Sequence, residues 1–345
     1  MTNGALPSWD AWLALPDEAV AAHVRPRRAS LALCLDATRR WFHFDYLAGG
    51  PVPPDPRLYL TAGAEAYARL IALLFEHGID PLFIPLQVPL RRGAGYAMRT
   101  MCDGLALLIT HPRLHALYER VRVRTYGPWN PLPPGFADME DAYAGLREHF
   151  AAITERTAAN RGPRLFWMIQ PNLSDPDDYW QDLDPDLALA QVACDLQMQL
   201  GRTPERAELL RAFYHLDSGE DLYVLRILLS AQLKEPLGMA VPPLLGGRED
   251  LYFTTVSLLS LDRTAVRAIL YDWLFLRHRP ADAAPVAYEA LPPAARLRLA
   301  GWYAAHRRQV FGLGTRHPEG DFWYPHPAGA LGGEDWPEDL RAEPP

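Results

Sequence analysis

Six short apolar runs alternate with helical segments along residues 29–280, and this alternation constrains the fold more than any other feature of the chain. The runs are Ser30 to Leu35, Pro81 to Leu86, Val121 to Tyr126, Arg164 to Ile169, Leu222 to Leu229 and Leu251 to Val256. Runs of this length, bounded by polar or turn residues, read as strands. Between them lie amphipathic patterns. Tyr67, Leu70, Ile71, Leu74 and Phe75 fall on one helical face, with Thr61 as the expected cap. Gly78 is the expected stop after His77, where a cation would suit the helix dipole. Further helices are expected at about 96–109, 138–160, 185–200, 203–215 and 266–277. Strand alternating with helix predicts an α/β fold, a mostly parallel central sheet with helices on both faces. One domain, 29–280, would carry it. A helical lead-in (1–28) would precede it, and a C-terminal helix with an irregular Gly- and aromatic-rich tail (281–345) would follow.

The net charge of -8 argues against a general nucleic-acid binder, which needs a basic face. Cys34, Cys102 and Cys194 are far apart with no CxxC, which suggests a reducing cytoplasm and no zinc site. The N-terminus shows no signal-peptide pattern, and no run of eighteen apolar residues predicts a transmembrane helix. The 10 Trp, 15 Tyr and 12 Phe are core material first, but such an excess also suits an apolar, isoprenoid ligand.

The first run ends in Asp36-Ala37-Thr38-Arg39-Arg40-Trp41-Phe42-His43-Phe44. Open α/β sheets hold their ligands at the carboxyl ends of strands. A carboxylate there suits Mg²⁺, and two guanidiniums suit a diphosphate. A strand-to-helix turn with Asp36 as N-cap and a solvated Arg pair accounts for the same residues. Tyr59 and Tyr96 adjoin the loops flanking this end, as core-edge tyrosines or as groups able to shelter a cation or orient a water. The acidic cluster Asp175, Asp177, Asp178, Asp182, Asp184 and Asp186 has the wrong spacing for a DDxxD site and reads as a loop that starts a helix. No nucleotide phosphate loop, dinucleotide fingerprint, HExxH or GxSxG occurs.

Leu33-Cys34-Leu35-Asp36-Ala37-Thr38-Arg39-Arg40-Trp41 resembles the hydrophobic-D-G-N-G-R-W signature of cis-prenyltransferases. A closer resemblance is to one branch of that family, the tuberculosinol, tuberculosinyl-adenosine and kolavelool synthase-like diterpene synthases. Asp36-x-Thr38-Arg39-Arg40-Trp41-Phe42-His43 is similar to that branch's D-G-T-R-R-W-F-H. Leu74 to Ile79, Leu251 to Thr254, Ile269 to Asp272, Leu276 to His278 and Val310 to Gly314 match collinearly.

The resemblance implies ionisation of a bicyclic C20 allylic diphosphate, supplied by an upstream class II cyclase, with water capturing the cation to give a diterpene alcohol. Transfer of the prenyl group to a nucleoside or to isopentenyl diphosphate is the alternative. Asp36 would hold Mg²⁺ and assist departure of the diphosphate; Thr38, Arg39 and Arg40 would bind it; Tyr59 and Tyr96 would be active-site tyrosines. A homodimer is also implied. The chain departs from the elongating enzymes at their R-T-S-G-E-x-R-x-S-N stretch, where Leu225 to Gln232 keeps only Arg226. It also lacks the acidic pair expected after the second strand, at Pro85 to Pro89.

Overall fold

The computed structural model describes residues 7–34, 38–52, 55, 57–90, 95–127, 140–173, 185–217, 222–230, 245, 249–254, 256–277, 291–306, 314–316 and 323–325. They fall in two compact units, Met1–Arg277 and His278–Pro345. The first unit opens with helices α1 (Trp9–Leu13) and α2 (Asp17–Val24), strand β1 (Leu31–Cys34) and helix α3 (Thr38–Trp41), which runs on as a π-helical turn, Phe42–Tyr46. Helix α4 (Arg57–Glu76), β2 (Leu82–Leu90), α5 (Gly95–Ile109), α6 (Pro112–Tyr118), β3 (Arg122–Tyr126), α7 (Glu140–Thr157) and β4 (Arg164–Leu173) follow. Then come α8 (Pro185–Leu200), α9 (Arg206–Phe213), β5 (Ile227–Ser230), β6 (Asp250–Phe253) and α10 (Arg263–Tyr271), which also continues as a π-helical turn, Asp272–Arg277. The second unit contains α11 (Pro293–His306) and a short antiparallel pair, β7 (Gly314–Arg316) and β8 (Trp323–Pro325).

The six described strands of the first unit form one parallel sheet in the order β3-β4-β2-β1-β5-β6. A parallel sheet must be covered on both faces. Strand alternation delivers this: Leu31 and Leu33 pack into a core with α4, α5, α7 and α10, while Ala32 and Cys34 pack into a second core with α8 and α9. The α/β architecture expected from the sequence is therefore present. The helix α6 was not anticipated. The fifth strand is shorter than expected, since Leu222 to Arg226 lie outside it.

Two local expectations change. Thr61 lies inside α4 and does not cap it. The helix starts a turn earlier because the Asp55 carboxylate accepts the Arg57 amide at 2.9 Å. By length and composition α4 would suffice to cross a membrane, but Tyr67, Leu70, Ile71 and Leu74 are buried in the core instead. At its other end Gly78 takes a positive φ of 86°, and a Cβ there would sit 3.0 Å from the Ala21 carbonyl oxygen. A glycine is needed for both reasons.

His77 was read as a cation for the helix terminus. The structure buries it completely, an environment that disfavours the charged form. Burial lowers its pKa, against the pull of the Leu73 carbonyl and Asp17, and with Arg267 and Arg263 pushing the same way as burial. Its Nδ1–H donates to the Leu73 carbonyl at 2.8 Å, and its Nε2 accepts from Arg267 Nε at 3.3 Å. The buried Arg267 also donates to Asp17 at 2.6 Å and to the Leu13 carbonyl, while Trp12 Nε1 donates to the Arg267 carbonyl at 2.9 Å. One guanidinium thus joins the N-terminal lead-in, α4 and α10.

Two outcomes follow from this network. Arg267→Met, which leaves Asp17 with Arg263 and the His77 ring 3.4 Å away, lowers stability by about 2 kcal/mol or more in urea titrations. Because His77 is protonated less readily in the folded chain than at its ordinary 6.5, its contribution is complete above that pH and is lost as pH falls below it. The urea midpoint of the native chain should therefore fall between about pH 7.5 and about pH 5.5, and His77→Gln should fall less steeply over the same interval. Parallel slopes for the two proteins would exclude a neutral buried His77.

Candidate functional site

The sheet's connections locate the site. From β1 the chain moves to β2 on one side; from β5 it moves to β6 on the other. Since β1 and β5 are neighbours, the topological switch lies between them, and ligands of open α/β sheets bind outside the carboxyl ends at such a point. The β1–β5 ladder continues to Cys34↔Ser230. The β1–β2 ladder has only the rungs Leu31↔Leu82 and Ala32↔Phe83, whereas β2 continues beside β4 as far as Leu90↔Leu173. Pro85, two residues past the last rung to β1, has no amide hydrogen to donate, and proline is tolerated where pairing is one-sided. Pro85 to Pro89 thus lie within β2, not after it.

Between the end of β1 at Cys34 and the start of α3 at Thr38 only three residues intervene. Asp36 is one of them and lies outside the described residues, as do the side chains of Arg39 and Tyr96. The backbone of Tyr96 is in the first turn of α5. Arg40 is half-buried on α3. The structure brings together Thr38 and Tyr59: their hydroxyl oxygens are 2.7 Å apart, linking the first residue of α3 to the first turn of α4.

Several side chains that the sequence did not single out complete this wall. The Phe42 ring meets the Tyr59 ring edge-on at 5.2 Å and stacks on Tyr46 at 5.4 Å. The i, i+4 spacing of Phe42 and Tyr46 was a readable signal for that stack. At the far end of the helical segment Ser260 donates to the Asp45 carboxylate. Arg69 of α4 donates to the backbone carbonyls of Leu261, at 2.8 Å, and Leu259. A lone arginine within an otherwise apolar stretch of α4 was its only sequence mark.

Among the described residues no group of three or more His, Cys, Asp or Glu gathers as a metal site. Hard oxygen donors around a single carboxylate suit Mg²⁺, which keeps its waters and shares a substrate's phosphates instead of occupying an all-protein cage. The Thr38 hydroxyl beside the β1 end belongs to that class of donor. Of the acidic cluster, Asp175, Asp177, Asp178, Asp182 and Asp184 lie outside the described residues, and Asp186 is in the first turn of α8.

Arg226 precedes β5 and so sits at the amino end of the sheet, its amide donating to the Ser30 carbonyl at 3.1 Å. The single arginine left in the Leu225 to Gln232 stretch is therefore at the opposite end from Asp36's strand end. The residue at the carboxyl end of β5 is the buried Ser230. Gln232 lies outside the described residues.

No family model matches the chain. The chain is 29% identical over 312 residues to the tuberculosinyl adenosine transferase of Mycobacterium tuberculosis (strain CDC 1551 / Oshkosh), covering 89% of this chain and 95% of that protein. Among solved structures it is similar to a probable undecaprenyl diphosphate synthase from Campylobacter jejuni (TM-score 0.45, 11% identity, 71% of this chain and 93% of that one). It is also similar to lavandulyl diphosphate synthase from Lavandula x intermedia in complex with dimethylallyl diphosphate (TM-score 0.44, 14% identity, 73% and 96%).

The aromatic wall has a measurable weight. Phe42 is 4% exposed, so Phe42→Ala loses its ring contacts with Tyr46 and Tyr59 and leaves a cavity, at a cost of about 3 kcal/mol. Chemical denaturation reads this directly. A loss below about 1 kcal/mol would mean that Phe42 does not pack as described.

Proposed function

We propose that the chain ionises a bicyclic C20 allylic diphosphate of the halimadienyl or kolavenyl type and transfers the prenyl group to a nucleoside. Near-full-length similarity to a protein named as a tuberculosinyl adenosine transferase carries this reading, and it favours transfer over the water capture expected first from the sequence. The position of Arg226, away from the Asp36 end, supports it against chain elongation, which needs a grip on a second diphosphate.

In this reading Arg39 and Arg40 fork onto the diphosphate, and Thr38 donates a hydrogen bond to it. Asp36 would hold Mg²⁺, which when bound adds positive charge against the leaving group. Charge withdrawal at that point is electrostatic catalysis of departure. The rings of Tyr59 and Tyr96 shelter the allylic cation. Pyrophosphate leaves with the bonding pair as the cation forms, the nucleoside nitrogen then forms the new bond to carbon, and the proton released from the nucleoside passes to solvent. An upstream class II cyclase, a homodimer and a cytoplasmic setting belong to the same proposal.

The test incubates the purified chain with Mg²⁺ and each bicyclic diphosphate, with and without adenosine, and reads products by mass spectrometry. A prenylated nucleoside with stoichiometric pyrophosphate is expected, and no lengthened chain when isopentenyl diphosphate is added. Alcohol alone in the presence of adenosine would return the reading to water capture, and long chains would replace it with elongation. Asp36→Asn should lower turnover by about a hundredfold or more; unchanged turnover would remove Asp36 from the site.

A further inference from the structure

The geometry points to Tyr59 as a positioning residue that acts through Thr38, its hydroxyl holding the Thr38 hydroxyl so that the Thr38 proton faces the diphosphate. This rests on the diphosphate-ionising reading and adds to it a second task for Tyr59, separate from that of its ring.

The two oxygens are 2.7 Å apart, a normal distance for a hydroxyl pair, and each hydroxyl has one proton to give. Only one of the two protons lies between them. A phenol is the better donor and an aliphatic hydroxyl the better acceptor, so the shared proton is that of Tyr59. The Thr38 proton is then directed elsewhere. Thr38 is the first residue after the turn that leaves β1, on the side of the sheet where the switch point lies, so an anionic oxygen bound there is within its natural reach. A hydroxyl that accepts one hydrogen bond becomes a stronger donor in the next.

Tyr59 has little freedom to do otherwise. Its ring is held edge-on by Phe42 at an interplanar angle of 76°, and Phe42 in turn lies flat on Tyr46 at 13°. Its backbone belongs to α4, whose buried face is fixed in the core by Leu70, Ile71 and Leu74. The phenol is therefore anchored on a rigid element, and the threonine is on the short segment that has to be aligned. Such second-layer support is what keeps a binding group at its productive angle.

The proposal is tested by calorimetric titration of the full chain with inorganic pyrophosphate in the presence of Mg²⁺. Tyr59→Phe keeps the ring packing and removes only the hydroxyl. Thr38→Val removes the donor itself. Each is expected to weaken pyrophosphate binding by roughly tenfold, and the double variant should be no weaker than the worse single one. Thr38→Ser, which retains the hydroxyl, should recover most of the affinity. With the prenyl diphosphate as substrate, the loss in Tyr59→Phe should fall mainly on KM. Losses that multiply in the double variant, or pyrophosphate affinity unchanged in Tyr59→Phe, would overturn the coupling while leaving the diphosphate site in place. A native chain that does not bind pyrophosphate would instead remove the underlying reading, and this one with it. Tyr59→Phe is conservative enough to carry the test even if Thr38→Val does not fold.

Discussion

Everything at the candidate site depends on how β1 is held. It is buried on both faces and paired on both sides at Leu31 and Ala32, but beyond Ala32 only the ladder to β5 continues. A strand in that position is rigid up to its last residue and is released on one side just before the chain turns. The outward connections from β1 and β5 run in opposite directions, which sets the switch point between them. Sheet pairing, and not any single side chain, decides where a ligand can sit.

The helical segment after that turn is fastened at both ends. Thr38 is tied to α4 through Tyr59, and Asp45 is tied to Ser260 in the segment after β6. Arg69 fixes that same segment to α4 through two backbone carbonyls. These contacts explain how a wall only two helical turns long can be stable although it includes a π-helical turn, which alone is an unfavourable geometry. They also place the half-buried Arg40 on a backbone with limited freedom. A guanidinium that binds a planar anion through two parallel hydrogen bonds gains from such restraint, since less motion remains to be lost on binding.

Much of this was legible in the sequence because the signals are local. Apolar runs of six residues marked β1 and β3 within a residue and the start of β6, though β6 ends three residues early, and the spacing from Tyr67 to Leu74 marked the buried face of α4. The stop at Gly78 was legible for the same reason, as glycine tolerates a positive φ. What failed depended on partners far away in the chain. His77 reads as a helix-end cation until Arg267, nearly two hundred residues later, is seen donating to its ring. Thr61 failed for a local reason instead, since the Asp55 carboxylate takes the Arg57 amide two residues on and the helix begins a turn before Thr61. The Thr38–Tyr59 pair was unreadable too, although both residues were singled out, because sequence gives no distance between a turn and the helix after the next loop.

The same distinction bears on what kind of reaction the scaffold can support. By composition, the Leu225 to Gln232 stretch retains one arginine, as though a weakened grip on a second diphosphate survived. Topology removes that ambiguity. In a parallel sheet all carboxyl ends lie on one edge, so a residue that precedes β5 is a full strand length away from one that follows β1. Four residues at about 3.3 Å each separate the two edges by about 13 Å. Arg226 therefore stands at the opposite edge of the sheet from the end of β1. On the described part of the β1–β5 crevice, the residue at the relevant end of β5 is an uncharged serine whose neighbour across the ladder is Cys34.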